Sequence, residues 1–148
     1  LGSSWGINKV MAQIHALLIV SSKPLTTDDV MAELQISRGN ANMNIRALME
    51  WGIVEKKLIV GERKDHYVAG KDIWELARQV SRERRKREIE PILRVLNQVQ
   101  SVEGNTEEVK EFKAVTGDLR DFSKKVDGAL EKFTKSDKNW FLKLLLKM

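Results

Sequence analysis

With 148 residues, 42% of them apolar and none of them cysteine, the chain can bury one core, or a small domain plus an extension, but has no disulfide framework, thiol nucleophile or Cys-based zinc site. The net charge of +5 suits a polyanionic partner, and the surplus is local. Residues 51 to 100 carry 12 Lys/Arg against 8 Asp/Glu, whereas the first fifty are balanced at 4 and 4.

Two prolines and nine glycines favour long helices and few loops. No apolar run approaches the ~18 residues of a membrane span. The opening LGSSWGINKV does not read as a signal peptide. A cytoplasmic chain is therefore the expectation. It begins on Leu1 and not Met, so its natural start is expected upstream.

Residues 8 to 20 place Val10, Ile14, Leu17 and Leu18 at helical spacing, a first helix ended by Ser21, Ser22, Lys23 and Pro24. Leu25 is extended. Thr26 is a good N-cap, and Asp29 sits where a capping carboxylate belongs. Val30, Met31 and Leu34 form the buried stripe of a short second helix. Ile36 packs in the turn and Ser37 caps a third helix, 38 to 51.

That third helix has two faces. At about 100° per residue, Ala41, Ile45, Leu48 and Met49 fall together and should face the core. Gly39, Asn40, Met43, Arg46 and Ala47 fall opposite. An ordinary solvated helix would carry Glu and Lys there. Small residues let a helix axis approach base edges, and amides and Arg can read them. Asn is a poor helix former, so three of them, at 40, 42 and 44, need a reason. Ser37, Arg38, Asn40, Asn42, Met43, Asn44 and Arg46 are the candidate DNA contacts. Arg38 has an alternative, pairing with an acid such as Asp28 or Glu33.

Trp51-Gly52 stops the helix, with Gly as a left-handed cap. IVEKKLIV, 53 to 60, and HYVA, 66 to 69, are β-type runs joined by the loop GERKD. Arg63 and Lys64 at its tip are the candidate phosphate contacts. Asp65 reads as a structural turn residue.

From Asp72 the chain returns to helix, with Ile73, Trp74, Ala77 and Val80 on one face. Five basic residues follow between 82 and 87. Their alternation with Glu83, Glu88 and Glu90 favours internal i,i+4 pairs over a second DNA contact. Pro91 either kinks this helix or opens a new one. Ile92, Leu93, Leu96 and Val99 continue the burial. After Gly104-Asn105 a last long helix spans about 106 to 134. Phe112, Val115, Leu119, Phe122, Val126, Ala129 and Phe133 alternate spacings of three and four. That seam suits pairing with a second subunit. The closing NWFLKLLLKM reads as an interface segment.

His15 reads as a core or interface histidine and His66 as a residue at the wing edge. Two isolated histidines make no metal site. Trp5, Trp51, Trp74 and Trp140 could build a cage for a quaternary amine, but at helical spacing they read as core. No Gly-rich phosphate loop, HExxH or GxSxG occurs, so no enzyme, cofactor or metal is expected.

Three segments together resemble one family: WGINKVMAQIHALL at 5 to 18, PLTTDDVMAELQISRGNANMNIRALMEWGIV, and GERKDHYVAGKDIWELARQVSRERRKREIEPIL. They are similar to the GbsR/MarR-like transcriptional regulators of bacteria and archaea, over roughly residues 5 to 100. The most telling pieces are SRGNANMNIRAL and GERKDHYVAGKD. The resemblance implies a winged-helix homodimer that binds an operator and usually represses. Members typically carry a further helix upstream of WGIN. Some respond to choline or related osmolyte precursors; no residue pattern here carries that effector over, so any small-molecule effector is unassigned.

The expectation is a mainly α fold with a small β-hairpin wing. A winged helix-turn-helix domain at 5–70 would be followed by a helical linker and dimerisation region at 71–148. Double-stranded DNA and a second copy are the expected partners, with no membrane. The rival readings are a winged helix used for protein contacts and a nonspecific architectural DNA binder.

Overall fold

A computed structural model describes residues 8–136 and Leu146. Trp5, Trp140 and, apart from Leu146, the apolar closing stretch lie outside them. The chain divides after Leu76 into two compact units.

In the first unit, α1 (Lys9–Val20) is capped by Asn8, whose side-chain oxygen accepts from Met11 N–H at 2.8 Å. Its Met11, Ile14 and Leu18 are buried. The short strand β1 (Leu25–Thr26) leads into α2 (Thr27–Leu34). Thr26 and Asp29 form the expected capping box: Asp29 N–H donates to Thr26 Oγ1 and Thr26 N–H to Asp29 Oδ2. Gln35 takes a left-handed φ of 53°, which turns the chain sharply before α3 (Arg38–Glu50). Ser37 caps α3 by accepting from Asn40 N–H.

Gly52, at φ 68°, ends that helix in the left-handed region, where glycine has no Cβ to strain the turn. The hairpin follows. β2 (Val54–Lys57) and β3 (His66–Ala69) pair antiparallel, and β3 also pairs with β1, giving the order β1-β3-β2. The paired part of β2 stops at Lys57, short of the 53–60 run read from sequence. Beyond it Leu58 and Val60 project outward, because no second layer covers the hairpin there to reward alternation. The core of this unit is Met11, Ile14, Leu18, Val30, Ala41, Ile45, Leu48, Trp51 and Val54. Burial of aliphatic side chains at this level contributes about 1.5–3 kcal/mol each.

The second unit is helical. It takes up α4 (Ile73–Arg84) from Ala77 on, a π-turn at Arg85–Ile89, α5 (Glu90–Val99) and α6 (Glu107–Lys135). Pro91 lies in the first turn of α5, where its missing N–H costs least. The wide turn precedes it, with Glu90 N–H donating to Arg85 O. Burial here is lighter than the sequence suggests. Of Ile92, Leu93, Leu96 and Val99 only Leu96 is buried, and Ile92 is exposed. Among the described residues α5 packs chiefly on α6, which covers one edge of its apolar face. Among the described residues no helix is long and apolar enough to cross a membrane.

Candidate nucleic-acid interface

The α3 helix buries one face and presents the other because its residues divide that way. Ala41, Ile45 and Leu48 are inside. Gly39, Asn42, Met43, Arg46 and Glu50 line one shallow exposed groove along the outer side. Met43 is 61% exposed, an unbranched apolar side chain amid polar neighbours. Arg46 is exposed and has no ion pair among the described residues. No acid interrupts this face until Glu50, at the last turn.

Asn44 departs from the expectation of a DNA contact. It is 1% exposed, and it falls on the inner edge of α3 between Ala41 and Leu48. Its Oδ1 accepts from Asn8 Nδ2 at 2.7 Å. Its Nδ2 donates to Asn40 Oδ1 at 2.7 Å and to Asn40 O at 2.9 Å. An amide so enclosed and so fully bonded is a structural tie. Asn40 is half-buried, with its side-chain oxygen engaged by Asn44. Asn42 stays outside, its Oδ1 accepting from Thr27 Oγ1 at 3.2 Å.

Arg38 and Lys64 come from different elements and meet at one acid. Asp28, in the first turn of α2, accepts from Arg38 Nη2 through Oδ1 and from Lys64 Nζ at 2.7 Å through Oδ2. The Lys64 hydrogen bond, then that of Arg38, holds the Asp28 carboxyl below its usual range. Asp28 raises the Lys64 ammonium in turn. Of the two acids open to Arg38 by sequence, Asp28 and Glu33, Asp28 is the partner, and Lys64 joins it from thirty-six residues away.

The rest of the wing is internally braced. Asp65 pairs with Lys56 at 2.8 Å. Glu62 pairs with the ring of buried His66 at 2.9 Å, and the other ring nitrogen of His66 lies 3.0 Å from Lys64 O. Arg63 remains exposed, with no ion pair among the described residues.

The basic run at 82–87 is spent mostly within its own unit. Arg87 pairs with Glu83 and Arg84 with Glu88. Arg85 binds Asp127 with two parallel bonds, 2.5 Å and 3.1 Å. Arg82 reaches Thr134 O.

The first part of the apolar seam of α6, Phe112 to Phe122, stands apart from the row that faces its own chain. The in-chain row is Val109, Lys113, Thr116, Arg120, Ser123, Asp127, Leu130 and Thr134, all buried or half-buried. Gln100 donates to Thr116 Oγ1 at 2.7 Å across it. Phe112, Val115, Leu119 and Phe122 lie on another face, 44–63% exposed. Val126 and Phe133, further along the seam, are half-buried.

His15 is half-buried in α1, where burial lowers its pKa, and its buried Nε2 has no hydrogen-bond partner among the described residues. Trp51 belongs to the core and Trp74 is half-buried.

No protein-family model and no curated protein matches the chain. A solved structure does, described as the crystal structure of a transcriptional regulator. The likeness has a TM-score of 0.67 at 13% identity, over 90% of this chain and 87% of that one. The two share a mainly helical fold with a small three-stranded antiparallel sheet and a winged helix-like hairpin. At 13% identity the likeness carries the fold alone.

Proposed function

We propose that the chain is a sequence-specific DNA-binding transcriptional regulator, a repressor of the GbsR/MarR-like kind. Two copies would act together on a pseudo-palindromic operator. The observation that carries this reading is the outer face of α3, where Gly39, Asn42, Met43 and Arg46 stand exposed in one groove whose one acid, Glu50, lies at its far end in the last turn. Gly39 removes bulk where the helix axis must come close. Met43 suits a thymine methyl, and Asn42 and Arg46 suit base edges in the major groove. Ser37 and Arg38 at the start of α3, with Arg63 and Lys64 on the wing, suit the phosphates on either side.

The pairing reading is supported by the exposed apolar row Phe112, Val115, Leu119 and Phe122. A paired molecule would set two α3 helices into successive major grooves.

The test is selection of bound fragments from a random duplex pool, repeated with Asn42→Ala and Arg46→Ala. An inverted-repeat motif that both changes weaken supports the regulator. Binding without any enriched motif would reduce the chain to an architectural binder.

One observation favours a second reading, a protein-contact module: Leu58 and Val60 project from the hairpin into solvent. That reading predicts no salt-dependent duplex binding at all.

A further inference from the structure

Three elements of the winged helix converge on one carboxylate. Asp28 comes from α2, Arg38 opens α3, and Lys64 comes from the loop between β2 and β3. Both cations donate to Asp28, one to each oxygen. Thr27 and Asn42 close one side of the same small cleft. Exposed ion pairs of this kind contribute little to stability, so stability does not account for the convergence. Two cations held a short distance either side of a compact oxyanion do match another need. It is the arrangement that binds a phosphate.

We infer that the cleft between Arg38 and Lys64 is a seat for one phosphate of the DNA backbone, and that Asp28 is an internal anion that fills this seat in the free protein. The inference rests on the proposed DNA-binding function and deepens it. On docking, the guanidinium and the ammonium turn from the carboxylate to phosphate oxygens. Asp28 is then left beside a like charge. Its removal therefore strengthens binding at every sequence, because backbone phosphates are the same at every site. Asp28 in this role limits how tightly the protein holds DNA in general. Base reading by Arg46, which has no internal ion pair among the described residues, is left untouched.

The experiment is fluorescence anisotropy with a duplex of random sequence, across a salt series, using the full chain. Asp28→Asn is expected to bind about tenfold tighter than wild type. Its plot of log affinity against log salt should steepen by at most about one unit per reading head. Asp28→Glu keeps the anion and should stay near wild type. Adding Arg38→Ala and Lys64→Ala to Asp28→Asn should abolish the gain. Glu33→Gln makes the same change of charge on the same helix, away from both cations, and should give a much smaller gain. Thermal melts accompany each variant, and Asp28→Ala replaces Asp28→Asn should the latter melt early.

Unchanged or weaker binding by a folded Asp28 variant, or an equal gain from Glu33→Gln, overturns the seat while leaving the DNA-binding function standing. Absence of duplex binding by both wild type and Asp28→Asn overturns both.

Discussion

The Asn8 side-chain amide donates to Asn44 Oδ1 at 2.7 Å, joining the cap of α1 to the inner edge of α3. Asn8 also accepts from Met11 N–H, and Asn44 donates on to Asn40. One chain of amides thus fixes the start of the first helix against the middle of α3. The buried end of that chain has every polar atom satisfied, which is the condition for a buried amide to be tolerated.

Asn44→Ala should therefore cost stability, about 1–3 kcal/mol, by leaving the Asn8 and Asn40 side chains short of partners. Urea unfolding checks this. Base preference, read on folded protein, should survive. A variant of wild-type stability with altered base preference would return Asn44 to the list of contacts.

Arg46→Ala should weaken binding to a selected site by about 1–3 kcal/mol and relax preference chiefly at one base position. Arg63→Ala should behave differently. Its loss should be similar across sequences, with the salt slope flattened by about one unit. Titrations of both variants on the selected site and on single-base variants of it separate the two roles. A sequence-dependent loss for Arg63→Ala would contradict its place on the backbone.

The capping box makes a pH prediction. Bonds from the Thr26 backbone N–H, and then from its hydroxyl, hold the Asp29 carboxyl below its usual range. A depressed folded-state pKa means a contribution that is complete above the unfolded value and lost as pH falls through the folded one. The loss therefore begins near pH ~4 and continues downward. Asp29→Asn should flatten the acid limb of a stability–pH curve and leave neutral pH less stable. An acid limb identical to wild type would show that the cap carries no linkage.

Leu119→Asp with Phe122→Asp should give monomers in sedimentation equilibrium if the exposed α6 row is the pairing surface. These side chains stand away from the in-chain row, so the helical content should persist by circular dichroism. A dimer that survives both changes places the interface elsewhere.

Much of the first unit was legible because its signals are local. Thr26 and Asp29 lie three residues apart, and Ser37 sits directly before its helix, so spacing alone marks both caps. Gly52 after Trp51 marks the stop. What escaped was non-local. Leu25 was legible as extended, but not its pairing, with Thr26, to β3 some forty residues away. Asn44 looks like a reading amide until Asn8 is seen beside it, and an exposed lysine at 64 carries no mark of Asp28. On α6 the apolar spacing was plain. The polar row that binds α5 was not, since Lys113, Thr116 and Arg120 resemble any solvated face. The sequence could therefore indicate a seam but not which side of the helix its own chain would occupy.

The most direct measurement is selection of bound sequences from a random duplex pool with the wild-type chain, read beside the same selection with Arg46→Ala. A single inverted-repeat motif for the wild type, degraded in the variant at the same position in each half-site, is the expected result. A wild type that retains no duplex, or a motif that Arg46→Ala leaves intact, would contradict base reading by α3.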